Sequence, residues 1–231
     1  MHKKLVILTG AGISAESGIK TFRASDGLWE EHRIEDVATR EAFYRDPALV
    51  LDFYNQRRKQ VMAAQPNEAH LAIARLQDNF DVQIITQNID DLHERAGSKN
   101  VIHLHGEIMK ARNSMDPNDF YPIENGEIHV GDTSNSGAQL RPDVVWFGEE
   151  VPLIRTAQQV AQEADIFVVI GTSLSVYPAA GLLDVAEPHI VKFLVDPGTF
   201  VLRQYENLYH IQKPAVEGMK VLLPMLEKNV T

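Results

Sequence analysis

A glycine-containing loop near the start of the chain has the composition of a dinucleotide-binding turn. The segment Gly10-Ala11-Gly12-Ile13-Ser14-Ala15 follows the apolar run Leu5–Leu8 and fits the form G-x-G-x-x-[GA]. In that form the glycines make a tight turn and bring backbone amides close to a pyrophosphate at a helix N-terminus. Loops of this form also serve as plain strand-to-helix turns. The acidic residue expected about 20 residues further on, after a second strand, is not evident here.

Two histidines could supply an acid–base group. His103 and His105 lie at the end of the apolar run Val101–Leu104 and are separated by one residue. A neutral imidazole titrates near the working pH of most enzymes and can take a proton from a hydroxyl group. Both side chains lie on one face if the stretch is a regular strand, so the residue types do not separate them. A structural histidine with satisfied hydrogen bonds is the alternative for each.

Polar residues directly after another apolar run could line a pocket. Asn88 and Asp90 alternate along the chain after Val82–Ile85, so an extended backbone would point both side chains the same way. The same string of asparagine and aspartate residues is also typical of a helix N-cap. Asp91 is the stronger candidate for that cap.

A tyrosine and an arginine spaced by three residues could bind a carboxylate. Tyr54 and Arg57 lie in a predicted helix, where residues i and i+3 share a face. A guanidinium group can grip a carboxylate with two parallel hydrogen bonds, and a phenol can add a third. Helices also carry tyrosine and arginine at this spacing for packing and solubility. We expect the neighbouring Arg58 and Lys59 to face the surface.

The elements that must position these residues alternate between strands and helices. Continuous apolar runs are typical of strands covered on both faces of a parallel sheet, and here they are Leu5–Leu8, Val82–Ile85, Val101–Leu104, Ile166–Ile170, Ile190–Val195 and the weaker Leu208–Ile211. The predicted helices are Pro47–Ala64, Asn67–Gln77, Pro152–Ala164, Pro178–Ala186 and Val216–Leu226, and Pro47, Pro152 and Pro178 stand where a first helical turn tolerates proline. This alternation predicts an α/β fold with a Rossmann-like doubly wound parallel sheet.

Two stretches interrupt the alternation and predict a smaller inserted lobe. Residues 31–74 contain helical patterns without strands, and residues 111–143 are rich in Asn, Asp, Gly, Ser and Pro. We therefore predict one catalytic domain over residues 1–231. Its large lobe covers about residues 1–30, 75–110 and 144–231, and its small lobe covers about residues 31–74 and 111–143. A cleft between the lobes is the expected ligand site.

Composition excludes several classes of protein. The 231 residues include 22 Lys and Arg against 32 Asp and Glu, for a net charge of −10. This balance argues against broad binding of nucleic acid or of anionic membranes. The chain contains no cysteine, which excludes a disulfide scaffold, a thiolate nucleophile and cysteine-ligated zinc. The sequence shows neither a membrane span nor a signal-peptide core, so we expect a cytoplasmic protein.

Five motifs in order along the chain resemble the signatures of the sirtuins, which are NAD-dependent protein deacylases. The first runs from Gly10 to Ile19 and continues to Phe22-Arg23, and the second is Thr86-Gln87-Asn88-Ile89-Asp90. The third is His103-Leu104-His105-Gly106, and the fourth is Val144-Val145-Trp146-Phe147-Gly148-Glu149. The fifth consists of Gly171-Thr172-Ser173-Leu174 and Val176-Tyr177-Pro178-Ala179. The resemblance covers nearly the whole chain and implies NAD as the cofactor.

The resemblance also implies roles for single residues. His105, directly before glycine, matches the catalytic base, which leaves His103 structural. Asp90 would hold the nicotinamide carboxamide, while Asn88 and Gln87 would orient ribose hydroxyls and Asn88 would join the catalytic set. The other implied cofactor contacts come from Gly10, Ala11, Gly12, Ser14, Ala15, Phe22, Arg23, Ile89, Gly171, Thr172, Ser173, Asp196 and Ala215. The implied peptide contacts come from Val144, Val145, Phe147, Gly148, Glu149 and Val176.

Two positions depart from the commonest sirtuin pattern. Asp196 stands where an asparagine is usual; a carboxylate there can accept from ribose hydroxyls and would repel a 2′-phosphate, which favours NAD over NADP. A turn aspartate at a strand end is the alternative. The second departure is the missing pairs of zinc-binding cysteines. His129 and the nearby acids match no common zinc pattern, so we expect no zinc and predict that the insert is held by Phe120, Tyr121, Ile123, Ile128, Val130 and Leu140.

The Tyr54-x-x-Arg57 pair resembles the class III sirtuins, whose pocket accepts acidic acyl groups. The resemblance therefore implies removal of succinyl or malonyl groups, together with acetyl groups, from lysine residues of proteins or peptides, releasing nicotinamide and O-acyl-ADP-ribose. ADP-ribosyl transfer or plain NAD hydrolysis is the alternative, because it shares the first bond cleavage. A non-catalytic NAD-binding module is the third interpretation, and the presence of Asn88, Asp90 and His105 argues against it.

Overall fold

The computed structural model describes residues 2–20, 28–29, 32–172, 174, 177–199 and 205–228. Its strands are β1 (Lys4–Thr9), β2 (Leu28–Trp29), β3 (His32–Arg33), β4 (Asp81–Thr86), β5 (Val101–His103), β6 (Gly106–Asn113), β7 (Phe120–Pro122), β8 (Leu140–Val144), β9 (Ile166–Ile170), β10 (Val191–Val195) and β11 (Leu208–Ile211). Its α-helices are α1 (Gly12–Ala15), α2 (Ile34–Val37), α3 (Arg40–Arg45), α4 (Pro47–Ala63), α5 (Glu68–Leu76), α6 (Leu92–Arg95), α7 (Ile154–Gln162), α8 (Leu182–Val185) and α9 (Ala215–Glu227).

A six-stranded parallel sheet forms the centre of the large lobe. Its spatial order is β11-β10-β9-β1-β4-β5, and every neighbouring pair is parallel. Counted along the chain, this is the order 3-2-1-4-5-6 of dinucleotide-binding folds. All six predicted strands are present, so the predicted Rossmann-like α/β class is confirmed.

Both faces of this sheet are covered, which explains the continuous apolar runs. In β1 the alternate residues Leu5 and Ile7 join a core that contains α5 and α9. Val6 and Leu8 join a second core on the other face, which contains α7 and α8. All four side chains are buried. Because such a strand has no side that faces solvent, an apolar residue at every position stabilises it.

The helices follow the predictions with two differences at proline. Pro47 is the first residue of α4, and the Asp46 side chain caps that helix by accepting from Leu49 N at 3.0 Å. Pro152 lies outside α7, whose N-cap is Leu153, so its predicted place in a first turn is wrong. Pro178 caps a short 3₁₀ turn, Ala179–Gly181, that leads into α8.

The small lobe combines an antiparallel sheet with helices. The sheet has the order β7-β6-β8, and its core contains Phe53 and Tyr54 of α4 together with Ile108 and Trp146. Helix α5 instead packs on the parallel sheet through Ile73. The residues of α5 that the sequence prediction placed in the small lobe therefore lie with the large one.

Hydrogen bonds hold the part of the small lobe that follows β6. The Asp119 carboxylate accepts from Asn113 Nδ2 at 3.1 Å and from the Tyr121 hydroxyl at 2.9 Å. Of the six predicted packing residues, Ile128 is buried, and Tyr121, Ile123 and Leu140 are partly buried against the core. Phe120 and Val130 are 53% and 59% exposed, so the prediction that they pack inside is wrong. Polar contacts around Asp119 take the place of that packing.

Among the helices of the described residues, none is long and apolar enough to cross a membrane.

Candidate active site

The loops after β1 and β9 meet where the strand order reverses. Gly10 N donates to Ile170 O at 3.0 Å, and Gly12 N donates to Gly171 O at 2.8 Å. In open α/β sheets, ligands bind in the crevice outside the carboxyl ends of the strands at such a reversal. The predicted glycine loop therefore lies at the position that this fold uses for ligands.

The glycines are required by the contact between these two loops. A Cβ on Gly12 would lie 2.6 Å from Gly171 Cα, and a Cβ on Gly171 would lie 2.4 Å from Ile13 N. Gly171 also has φ +64°, a conformation that side chains other than glycine adopt at a cost. The sequence prediction assigned Gly10 and Gly12 to the approach of a pyrophosphate. In the structure they let two backbones of this chain approach each other.

Asn88 and Asp90 meet at Ser14, as their alternation predicted. Asn88 Nδ2 donates to Ser14 Oγ at 3.1 Å, and Ser14 Oγ donates to Asp90 Oδ2 at 3.0 Å. All three side chains are buried. Burial raises the pKa of Asp90, opposed by hydrogen bonds from Leu92 N and Ser14. The arrangement gathers an amide, a hydroxyl and a carboxylate, which together can bind a carboxamide and sugar hydroxyls.

The cap of α6 divides between two aspartates. Asp91 is the N-cap residue but makes no capping bond with its side chain. Asp90 Oδ1 instead accepts from Leu92 N at 3.2 Å. One carboxylate oxygen of Asp90 therefore caps the helix, as the helix-cap alternative predicted for this string of residues, and the other accepts from Ser14.

The hydrogen bond of His105 determines which of its nitrogens can accept a proton. His105 Nδ1 lies 2.9 Å from Gln87 O, and a carbonyl oxygen only accepts, so Nδ1 carries the hydrogen. Burial lowers the pKa of His105, partly offset by that hydrogen bond. The ring is therefore neutral at pH 7 and has its lone pair on Nε2, which is the state a general base needs.

His103 is bound in an ion pair and differs from His105 in this respect. Its Nδ1 lies 3.0 Å from Asn88 O and its Nε2 lies 2.8 Å from Glu94 Oε1. Both partners are acceptors, so both nitrogens carry hydrogens and the ring is a cation. Burial opposes that charge, but the hydrogen bond and charge of Glu94 leave the pKa of His103 raised. A protonated ring cannot act as a base, and this separates the two histidines.

Other predicted cofactor residues lie along the same edge of the sheet. Gln87 Nε2 donates to Thr172 Oγ1 at 3.1 Å, which joins the loops after β4 and β9. Ile89 O accepts from Ile108 N at 2.9 Å. Ala11 and Ala15 accept backbone bonds within the glycine loop and the turn after α1.

The two remaining predicted cofactor residues lie after β10 and β11. Asp196 Oδ1 accepts from Gly198 N at 2.8 Å, so one of its oxygens makes the turn that the sequence offered as the alternative. Ala215 is the buried first residue of α9. The next amide, Val216 N, donates to Glu16 Oε2 at 2.8 Å and connects α9 to the turn after α1.

The predicted carboxylate-binding pair lies inside the small lobe. Tyr54 and Arg57 of α4 are both buried. Trp146 Nε1 donates to the Tyr54 hydroxyl oxygen at 3.0 Å, and Arg57 Nη1 donates to Lys20 O at 3.5 Å. Burial raises the pKa of Tyr54, opposed by the bond from Trp146 and by nearby arginines, so the phenol stays protonated.

Arg58 is fully buried, so its predicted place on the surface is wrong. Its Nε donates to Ile108 O at 2.7 Å and its Nη1 donates to Asn55 Oδ1 at 2.8 Å. This arginine ties α4 to β6. Lys59 is exposed, as predicted, and pairs with Glu127 at 2.5 Å.

The segment Val144–Glu149 is a strand end followed by a turn. β8 ends at Val144, which pairs with Gly106, and Val145 N donates to His105 O at 2.9 Å. Phe147 is 49% exposed and bridges to Thr39, and Gly148 is exposed with φ +86°. The segment therefore contacts the loop of His105 directly.

Glu149 points inward, and its partners were missed by the sequence analysis. Its carboxylate accepts from Arg141 Nη1 at 2.7 Å and from Arg112 Nη2 at 3.1 Å. Arg141 also lies 3.3 Å over the Trp146 ring. Because Arg112 lies 37 residues and Arg141 8 residues before Glu149, the sequence showed only single charges. The acid at the end of the Trp-Phe-Gly-Glu motif was the available signal.

Four predicted site residues, Phe22, Arg23, Ser173 and Val176, lie outside the described residues. The chain has no cysteine, and within the described residues no group of three or more His, Asp or Glu side chains could hold a metal ion.

The chain is similar to known proteins over most of its length. The Sir2 family profile matches residues 10–178. The chain is 50% identical over 229 residues to the NAD-dependent protein deacylase of Bacteroides thetaiotaomicron, covering 97% of this chain and 98% of that protein. It is also 50% identical over 224 residues to the protein of the same name from Helicobacter pylori, covering 97% and 95%.

Solved structures show the same fold. A Sir2 homologue in complex with NAD superposes with a TM-score of 0.88 at 40% identity, covering all of this chain and 91% of that one. The matches in fold and in sequence extend over nearly the whole length. The chain therefore belongs to the Sir2 family.

Proposed function

We propose that this NAD-dependent protein deacylase removes acidic acyl groups, succinyl or malonyl, from lysine side chains of proteins, and acetyl groups less efficiently. The observation that carries the proposal is the buried pair Tyr54 and Arg57 on one face of α4. Hydrogen bonds from a guanidinium group to a carboxylate are stronger in such surroundings than at a surface. An acetyl group offers no carboxylate to make them.

The residues at the strand ends fit NAD by the chemistry of their donors and acceptors. Asn88, Ser14 and Asp90 form one hydrogen-bonded set that can bind the nicotinamide carboxamide and ribose hydroxyls. Asp196 has a carboxylate at the end of β10, where it can accept from ribose hydroxyls. Gln87 and Thr172 join the loops after β4 and β9 at the same edge of the sheet. When bound, NAD supplies the ribose carbon that receives the acyl oxygen, with nicotinamide as the leaving group.

The chain's own residues then bind, orient and move a proton. Asn88 and Ser14 orient the ribose, and Asp90 holds the carboxamide. Nε2 of His105 takes a proton from a ribose hydroxyl, while Gln87 O keeps the ring in the required tautomer. A positioned base of this kind contributes about 10²–10⁴-fold to the rate.

The peptide lies against the segment that follows β8. Val145 donates to the carbonyl of His105, so a peptide bound there lies next to the base. We assign Phe147 and Gly148, which are exposed, to peptide contact. Glu149 supports this segment from inside, because its carboxylate accepts from Trp146 N at 2.9 Å. We further propose that the two lobes act as one catalytic domain and that the protein works in the cytoplasm.

ADP-ribosyl transfer or NAD hydrolysis is the second candidate, since either would use the same first bond cleavage. The neutral His105 beside the peptide segment favours the deacylase, because hydrolysis needs no peptide next to the base. Nicotinamide release measured with and without acyl-peptide separates the two. Release without peptide would identify a hydrolase.

The acyl preference is tested by kcat/KM on one peptide that carries succinyl, malonyl or acetyl. One charge-assisted hydrogen bond contributes about 1.5–3 kcal/mol, so Arg57→Met is expected to slow desuccinylation about 10- to 150-fold and deacetylation far less. Tyr54→Phe is expected to have the same selectivity with a smaller effect. Lys59→Met, which removes an exposed cation from the same helix, serves as the control. Wild-type preference for acetyl, or equal slowing of both reactions by Arg57→Met, would contradict the proposal.

A further inference from the structure

A buried chain of hydrogen bonds runs beneath Asn88 and ends at a histidine of α6. Asn88 N donates to Thr86 Oγ1 at 3.1 Å, and Thr9 Oγ1 donates to the same oxygen at 2.8 Å. Thr9 Oγ1 in turn lies 3.0 Å from His93 Nε2. Thr9, Thr86 and His93 are fully buried.

The direction of these bonds assigns the proton on His93. Thr9 has one hydroxyl hydrogen, which it donates to Thr86, so its oxygen must accept from His93 Nε2. His93 Nδ1 is then the nitrogen without a hydrogen, and it is also the atom with no hydrogen-bond partner among the described residues. Burial, together with the charges of His70 and His103, holds the pKa of His93 well below its ordinary value, which keeps the ring neutral.

Helix α6 thus holds both backbone groups of Asn88. His93 reaches the N–H group through Thr9 and Thr86. The adjacent Glu94 reaches the carbonyl through His103. Thr9 and Thr86 stand opposite each other at the carboxyl ends of β1 and β4. The loop from residue 87 to 91 is therefore held by the helix that follows it.

We propose that His93 is a positioning residue for this reaction, which fixes the Asn88 backbone through the hydroxyls of Thr9 and Thr86. The proposal rests on the proposed role of Asn88 in binding the ribose. These hydrogen bonds fix the position of the Asn88 backbone, and the Asn88 side chain reaches Ser14 from that position. A displacement of that backbone would move the side-chain amide of Asn88 away from the ribose, although every group that contacts the ribose would still be present.

The test uses matched pairs of variants. Thr86→Val removes the hydroxyl at nearly constant volume, and Thr86→Ser keeps the hydroxyl. His93→Leu removes the donor, and His93→Gln keeps an amide donor at a similar distance from the backbone. Binding of ADP-ribose by calorimetry and amide exchange of Asn88 provide readouts besides turnover.

We expect Thr86→Val and His93→Leu to lower kcat about 10-fold and to speed amide exchange at Asn88, while KM for the acyl-peptide stays unchanged. Thr86→Ser and His93→Gln are expected to keep most of the wild-type kcat and most of the protection of the Asn88 amide from exchange. The double variant Thr86→Val/His93→Leu should lose little more than either single variant, because both break the same chain.

Additive losses, or no rescue by the hydroxyl-keeping and donor-keeping variants, would overturn the proposal. If His93→Leu does not fold, Thr9→Val against Thr9→Ser carries the same test. The failure of the proposed role of Asn88 is recognised separately. In that case Asn88→Ala would retain activity, and Asn88 exchange would still report whether His93 holds the backbone.

Discussion

The ion pair between His103 and Glu94 makes a prediction about how stability depends on pH. Replacing Glu94 by Gln removes the negative partner of a ring that the structure requires to be protonated. A charge-assisted hydrogen bond contributes about 1.5–3 kcal/mol when it is buried. The Glu94 side chain is 41% exposed, so solvent screening reduces this to about 1 kcal/mol.

The pH window follows from the two pKa shifts. The pKa of His103 is raised from 6.5, so its contribution is present below 6.5 and is lost as pH rises through the higher folded-state value. Burial opposes the charge of Glu94, but its bond to His103 leaves its pKa lowered from 4.5. Its contribution is therefore lost only as pH falls below 4.5. The difference in free energy of unfolding between wild type and Glu94→Gln should be largest between pH 4.5 and 6.5 and should shrink at higher pH.

Thermal unfolding measured at pH 5.5 and at pH 8.5 decides the matter. For a chain of this size about 1 kcal/mol corresponds to about 2–4 °C in Tm, so Glu94→Gln should lose that amount at the lower pH and less at the higher pH. The control is Glu163→Gln, which removes an exposed ion pair with Lys4 that contains no histidine. A loss that is equal at both pH values, or greater at pH 8.5, would refute the assignment of His103 as a cation. It would also reopen the choice between His103 and His105 as the base.

Three further predictions concern the base, the predicted absence of zinc and the loop contact. His105→Ala should lower the rate of deacylation by about 10²–10⁴-fold, while calorimetry still detects ADP-ribose binding. Because burial lowers the pKa of His105 from 6.5, wild-type kcat should stay level down to pH 6.5 and fall only in more acidic buffer. A kcat that already falls above pH 7 as the buffer is acidified would contradict the role of His105 as a neutral base. A chelator should leave Tm unchanged, and a stoichiometric zinc in metal analysis would show that a site was overlooked. In urea unfolding, Asp119→Ala should lower the free energy of unfolding by about 1–3 kcal/mol, whereas the exposed control Phe120→Ala should change it by no more than about 0.5 kcal/mol. Gly171→Ala should abolish folding or ADP-ribose binding, because the added Cβ would clash with Ile13 N. The control is Gly18→Ala: this position also has positive φ, but no atom lies within 4 Å of the added Cβ, so the variant should lower the free energy of unfolding by only about 1 kcal/mol. Equal effects of the two variants would rule out the loop contact as the cause.

The fold was predictable because its signals are local. Each strand of the parallel sheet is buried on both faces, so runs such as Ile166–Ile170 are apolar at every position and stand out in the sequence. The glycine loop after β1 has a recognisable form because a Cβ on Gly10 or Gly12 would clash with the loop after β9. The alternation of Asn88 and Asp90 predicts that the two side chains point the same way, and in the structure both contact Ser14.

Tertiary structure decided the chemical state of each side chain. His103 and His105 are indistinguishable by residue type and by spacing, and they differ because one faces Glu94 and the carbonyl of Asn88 while the other faces the carbonyl of Gln87. Arg58 shows the same limit. A charged residue in a helix is expected to face solvent, but the Arg58 guanidinium group is buried because it donates to the distant carbonyl of Ile108 and to the side chain of Asn55. The protonation and burial of a side chain depend on partners from elsewhere in the chain. Here the pairing of β4 with β5 and the packing of α4 against β6 bring those partners into contact.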